Sequence, residues 1–189
     1  MAITLSKRDH ILAVALRLFC AEGFHATGVD RVVAEAGVAK MTLYKHFASK
    51  DDLIVGCLEH LARTQSEALE AAIAAAPPDP KRRLLAAVVH YASVASSAQF
   101  EGCAFQHAAA EYADPTSPVR LAATAPKRAL FARLFELAAT AGLKEPEAAA
   151  AALLVVIEGV LAVAPFGAVA DLAGTTEALA ERALASDAC

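Results

Sequence analysis

VDRVVAEAGVAKMTLYKHFASKDD, residues 29–52, reads as a short helix, a tight turn at Gly37 and a second short helix. Val32, Val33 and Ala36 share one face of the first helix at helical spacing. Gly37 follows where a helix ends by turning left-handed, a conformation glycine adopts without a Cβ clash. Leu43 and Phe47 lie four apart and share one face of the second helix, free to pack on the first. The opposite face then carries Lys40, Met41, Tyr44 and Lys45. No acidic residue occurs from Ala36 to Lys50, in a chain whose formal net charge is −4. A small helical module of one sign inside a protein of the other sign points to a polyanion, and the polyanion suited to a helix-turn-helix is duplex DNA.

The flanks extend the module. Ser6 to Ala21 carries Ile11, Leu12, Ala15, Leu16, Leu18 and Phe19 as a broad apolar stripe, predicting a helix that packs across the pair. Ser49 before Lys50-Asp51-Asp52 predicts a capped helix start with acids in the first turn. Charge divides along the same line. Residues 1–50 hold seven Lys/Arg against four Asp/Glu, net +3, and the remainder is net −7. A basic segment is by itself compatible with a solvated face; the asymmetry between the two parts favours a nucleic-acid module.

These words, in this order, resemble the tetracycline-repressor (TetR) family. They are Phe19, Gly23 and Phe24 at the end of the first helix, Thr27 before the second, Ala36-Gly37-Val38 at the turn, Leu43, Tyr44 and Phe47 in the third helix, and Lys50-Asp51 opening the fourth. The resemblance covers about the first sixty residues. It implies a one-component transcriptional regulator, most often a repressor released from its operator by a small molecule. Two departures stand out: Ala39 occupies the usual Ser/Thr cap before the recognition helix, and Met41 a place where a small residue or Pro is common. Gly28 also takes a usual Ser/Thr cap position.

Beyond residue 50 the text is helical, with Pro and Gly as punctuation. Helices are predicted near 50–75, 81–98, 103–113, 117–141, 146–164 and 174–186, broken at residues 77–80, Gly102, Asp114-Pro115, Gly142, Pro165 with Gly167, and Gly174. No run alternates as a strand. The expected fold is all-α with about nine helices: a helix-turn-helix DNA-binding domain over 1–49 and a helical effector-binding and dimerisation domain over 50–189. The longest uncharged runs, near 148–157 and 159–170, are split by Glu158 and are each too short to span a bilayer. The N-terminus reads as an amphipathic helix start, without the apolar core of a signal peptide. Cys20, Cys57, Cys103 and Cys189 form no CxxC pair, so neither a zinc site nor a disulfide framework is indicated. A reduced, cytoplasmic setting without metal or cofactor is expected.

Site residues follow from these readings. Lys40, Met41 and Tyr44 are placed to reach base edges; Thr27, Thr42, Lys45, His46 and Lys50 to hold phosphates; Arg31 sits on the second helix toward the same surface. A two-fold symmetric (palindromic) DNA operator and a homodimer are the expected partners. The resemblance implies dimer formation through 146–164 and 174–186, with Leu153, Ile157, Val160, Leu161 and Ala164 at the interface; the same apolar helix would also serve as a central core helix. Tyr91, Phe100, Cys103, Phe105, Tyr112, Phe131 and Phe135 supply the walls of a pocket for a small, mostly apolar effector, with His107 and Glu111, an i, i+4 pair, as its polar groups. A structural pairing of His107 with Glu111 satisfies the same spacing. Cys103 after Gly102 at a helix start reads first as a small buried cysteine, with a reactive thiol as the alternative. Two other classes are weighed: a DNA-binding helical protein with no ligand, and a helical enzyme. No Ser-His-Asp order, phosphate loop or metal-ligand set supports the enzyme.

Overall fold

A computed structural model describes residues 6–185. Among these residues it holds nine α-helices, one 3-10 turn and no strand. They are α1 (Lys7–Glu22), α2 (Val29–Ala36), α3 (Lys40–His46), α4 (Lys50–Ala75), α5 (Pro80–Ala95), α6 (Ala104–Glu111), α7 (Pro118–Thr140), α8 (Pro146–Val163), the 3-10 turn Ala164–Phe166 and α9 (Leu172–Ala185). The all-helical reading therefore holds, with the helix-turn-helix at the N-terminal end.

Local chemistry sets most boundaries. Ser6 caps α1, its hydroxyl accepting from the Asp9 N–H. Ser49 does the same for α4 through the Asp52 N–H at 3.0 Å. Gly37 closes α2 at φ 64. The predicted break at Gly174 is absent: Asp171 caps α9 by accepting the Gly174 N–H at 2.8 Å, which puts the glycine inside the first turn. The predicted helix end at 186 and Cys189 lie outside the described residues. Pro126 sits within α7, where the ladder lacks one N–H donor.

The described residues form two compact units, one from residues 6–64 and 104–125, the other from 65–103 and 126–185. In the first, α1 packs on α2 and α3. Ile11, Leu12, Leu18, Phe19, Phe24, Val32, Leu43, Phe47, Leu53, Ile54 and Leu58 are buried, each large side chain contributing about 1.5–3 kcal/mol of transfer free energy. The Phe19 and Phe24 rings stack at 5.3 Å, and the Arg8 guanidinium lies over the Phe47 ring. The His10 Nε2 atom, 3.1 Å from the Ala36 carbonyl, serves the C-terminal end of α2.

In the second unit α5, α8 and α9 pack on one another. Leu84, Val88, Tyr91 and Ala95 are buried along α5, the stripe the spacing predicts, and meet a layer that includes Leu153, Ile157 and Leu184. A half-buried ion pair joins Lys127 on α7 to Glu158 on α8 at 2.7 Å. Arg133 grips both carboxylate oxygens of Glu70, the bidentate geometry arginine favours. The segment Pro146–Phe166 is 21 residues long with a mean hydropathy of 2.3, so by length and composition it could cross a bilayer, which the uncharged runs taken singly did not suggest. Its packing on α5 and α9 and the Glu158 ion pair instead place it in a helical layer.

Candidate nucleic-acid interface

The candidate interface is the outer face of α3. Leu43 on its inner face is fully buried and Phe47, just past its end, is nearly so; together they fix the helix on α1 and α2. That orientation leaves Met41 70% and Tyr44 42% exposed, a high value for side chains of this size. Lys40, Lys45 and His46 are exposed beside them and Thr42 is half-exposed. The result is a short ridge of donors and apolar tips with no acid on the helix itself. Such a ridge suits a major groove, where phosphates need cations and base edges need shaped contacts.

The surrounding charges are partly committed. Lys40 pairs with Asp30 of α2 at 2.7 Å, and that hydrogen bond raises the lysine above its ordinary value. Arg31 bridges Glu22 and Glu35, and Arg17 reaches Glu35 as well, forming a surface network across α1 and α2. Bonding to Arg31 and then Arg17 holds the Glu35 carboxyl below the usual carboxylate range. Arg31 is thus a structural link as well as a surface cation. The Lys50 ammonium donates to the His25 carbonyl at 2.9 Å.

Three groups of expected site residues need correction. Thr27, read as a phosphate contact, is 1% exposed; its hydroxyl donates to the Gly23 carbonyl at 2.7 Å and closes the turn between α1 and α2. Glu111, read as a pocket group, sends its carboxylate to two backbone N–H groups of that same turn, those of Phe24 at 2.8 Å and His25 at 2.6 Å. Tyr112 donates to Asp51 at 3.1 Å and stacks on His25 with ring centroids 4.4 Å apart. Leu153, Ile157, Val160 and Leu161, read as interface residues, are buried within the chain's own second unit, with Ala164 half-buried. An apolar stripe at helical spacing does not say which of two apolar faces turns inward. The outward face of α8 carries Ala148, Ala151, Ala152, Val155, Gly159 and Ala162, with Val155 71% exposed and Phe166 beyond it 81% exposed.

The remaining pocket residues divide between the units. Phe105, buried, and His107, half-buried, lie on α6 in the first unit. Tyr91 and Cys103 are buried, Phe100 and Phe131 half-buried and Phe135 exposed in the second. Burial, with lesser effects from Glu158 and Cys103, pushes the Tyr91 phenol up to about 12. Phe135 borders a surface hollow of about 550 Å³ with Pro146 and Ala151. Another hollow of about 370 Å³ lies between Leu85 and Leu184 and has charged rims. Sequence reasoning missed His25 and Asp30. Their roles arise from groups 86 and 10 positions away, respectively.

A three-helix head with an acid-free, outward-facing third helix defines a helix-turn-helix protein. Residues 11–57 match the family model described as bacterial regulatory proteins, tetR family. A crystal structure of SCO4454, a TetR-family transcriptional regulator from Streptomyces coelicolor, is 33% identical over 97% of this chain and 96% of its own, with a TM-score of 0.91. The chain belongs to the TetR family of transcriptional regulators. Among curated proteins, the HTH-type transcriptional activator FasR of Mycolicibacterium smegmatis is 34% identical over 82 residues, 43% of this chain and 37% of FasR. The chain spans between about a quarter and two fifths of the length of the first curated relatives it matches, 26% and 37% for the first two. AibR, crystallised with isovaleryl coenzyme A and operator DNA, shares the fold at 22% identity, with a TM-score of 0.71 over 92% of this chain and 97% of its own.

Proposed function

We propose that this chain is a one-component, ligand-responsive DNA-binding regulator, a repressor released from its operator by a small molecule. The observation that carries the DNA-binding part is the outer face of α3: Met41, Tyr44, Lys45 and His46 project from a helix locked by the burial of Leu43 and Phe47. In this reading Met41 and Tyr44 contact base edges, with Lys40 joining them when it leaves Asp30. Lys45, His46, Thr42 and Lys50 hold phosphates. Residues 1–49 do the binding and 50–189 the control and assembly, in the cytoplasm where the operator is.

One α3 reads only a few base pairs, so tight and specific binding calls for two. The apolar outer face of α8, with Leu179 on α9, supports a homodimer that places two heads on a palindromic duplex. Consecutive major grooves on one face lie roughly 34–36 Å apart, or a multiple of that. Control enters through α4, a continuous 26-residue helix that leaves the head and runs into the second unit. A mostly apolar effector suits the buried aromatic side chain of Phe105 on α6, and it shifts binding only if it prefers one conformation. One relative, FasR, is named as a transcriptional activator, so activation is the alternative sign of control.

The test is selection of duplexes from a random library by the full chain. A two-fold symmetric consensus, bound by two chains, is the expected result; equal affinity for all duplexes at physiological salt refutes the reading. Candidate inducers are then titrated against the complex of parent, Phe105→Ala and His107→Ala. Identical release by all three moves the effector site elsewhere. Stabilisation by none of the candidates, alongside intact site-selective binding, favours a DNA-binding protein without a ligand.

A further inference from the structure

Resting on the reading that the first unit binds DNA, we propose that Glu111 and Tyr112 are positioning residues for DNA recognition: a latch that joins the entry and exit of the helix-turn-helix to the end of α6.

The entry is the turn from Gly23 to Gly28, which feeds α2. Gly23 has φ 94, and the two N–H groups that follow it, those of Phe24 and His25, point together into a small anion-binding nest. Both oxygens of the Glu111 carboxylate occupy that nest, one per N–H. A charged acceptor on two N–H groups makes bonds about twice as strong as neutral ones. A side chain at position 23 would be strained at that φ and would bring its Cβ to 3.5 Å from the carboxylate. The His25 ring adds a third contact, its Nε2 lying 3.0 Å from the Glu111 carbonyl oxygen.

The exit is the first turn of α4, immediately after α3. Here the Tyr112 hydroxyl donates to Asp51, and Lys50 donates back to the His25 carbonyl. The Tyr112 ring stacks on His25, which closes the circuit from α6 to the entry, across to the exit and back to α6. Residues 29–46, the two helices of the helix-turn-helix, are bracketed by that circuit. On its far side α6 is held by Arg120 of α7, whose guanidinium donates to the Ala109 carbonyl. A displacement of α6 is therefore delivered to both ends of the helix-turn-helix at once. None of these contacts touches the α3 surface, so the latch acts on where that surface is presented and leaves its chemistry unchanged.

The experiment uses the full-length parent, Glu111→Ala, Glu111→Gln and Tyr112→Phe. The probes are the duplex selected by the parent from a random library and the same duplex with one base pair inserted at its centre. Amide exchange at Phe24 and His25 reports the nest directly. Glu111→Ala is expected to bind the selected duplex about tenfold more weakly, to lose most of its discrimination against the inserted duplex, and to expose both amides. Glu111→Gln, which keeps an acceptor for one N–H, falls between, and Tyr112→Phe shows a smaller loss; these two carry the comparison should Glu111→Ala fail to fold. A merely structural role would lower affinity for both duplexes in proportion and leave their ratio unchanged. That unchanged ratio, or amides that exchange as slowly as in the parent, overturns the latch. A parent with no preferred duplex sinks the DNA-binding reading and this proposal with it, whereas a site-selective parent whose variants behave identically sinks the latch alone.

Discussion

Individual side chains on α3 divide by what they offer DNA. Met41, 70% exposed and uncharged, can only discriminate by shape and apolar contact, such as with a thymine methyl. Met41→Ala is expected to cost about 1–3 kcal/mol at one base position and little elsewhere, read by binding to a set of single-base operator variants. Lys45 is exposed and free of ion pairs among those described, so it suits a phosphate. Lys45→Ala should weaken all sequences alike and reduce the slope of log affinity against log salt by about one; an unchanged slope removes it from the phosphate contacts. Tyr112 gives a pH test. Burial, then its bond to Asp51, pushes its phenol up to about 12 from an ordinary value of 10.0. The fold thus favours the neutral form. The stabilisation is full below pH 10 and is lost as pH rises through 12. The urea midpoint of the parent should fall across that window. Tyr112→Phe starts lower, having lost the Asp51 bond, and should fall less steeply, the remaining decline including the similarly raised Tyr91. Equal declines in both would show that Tyr112 does not contribute.

Elements are where most of the text was legible, and the reasons are local. Gly37 and Ser49 act through their own backbone or a neighbour three residues on, so a short window suffices to place the end of α2 and the start of α4. Gly174 misled because its effect depends on Asp171, whose capping bond makes a glycine an acceptable first-turn residue. Thr27 and Glu111 misled for a different reason. Their types suit phosphate or ligand contacts, but packing turns the Thr27 hydroxyl inward to the Gly23 carbonyl four residues back and the Glu111 carboxylate to a turn 86 or 87 residues distant. Ala39 is the testable case at this scale. It stands at the N-cap of α3 with no side-chain bond, leaving first-turn N–H groups without that partner. Ala39→Ser should stabilise the chain by about 1 kcal/mol through a new cap. Ala39→Asp should stabilise at least as well, its charge complementing the helix dipole, yet weaken DNA binding because it sets an anion on an acid-free surface. Thermal unfolding and operator titration separate the two effects. Parallel changes in stability and affinity for both variants would mean that α3 does not face the duplex.

At the scale of the whole molecule the open matter is how two heads come to act together. The stripe on α8 was legible as apolar, but periodicity alone could not choose the inward face, since both faces of this alanine-rich helix are apolar. Burial makes the choice: Ile157 is fully enclosed by its own chain, while two residues back Val155 is 71% exposed. The two positions therefore respond oppositely to the same substitution. Val155→Arg leaves the core of the second unit intact and places a charge where a partner's apolar face would desolvate it. Unpaired burial of that kind costs several kcal/mol, enough to weaken association by on the order of a hundredfold or more. A folded monomer is expected, with helical content and unfolding cooperativity near those of the parent. Its affinity for a single half-site should be unchanged, while its preference for the full palindrome over that half-site disappears, because the second head is no longer tethered. Ile157→Arg puts the charge inside one chain and should destabilise folding itself, with soluble yield and melting temperature falling together. Sedimentation and circular dichroism on the pair give the decision. If Val155→Arg sediments as the parent does, the outer face of α8 is not the interface, and the palindrome must be read by some other arrangement of heads.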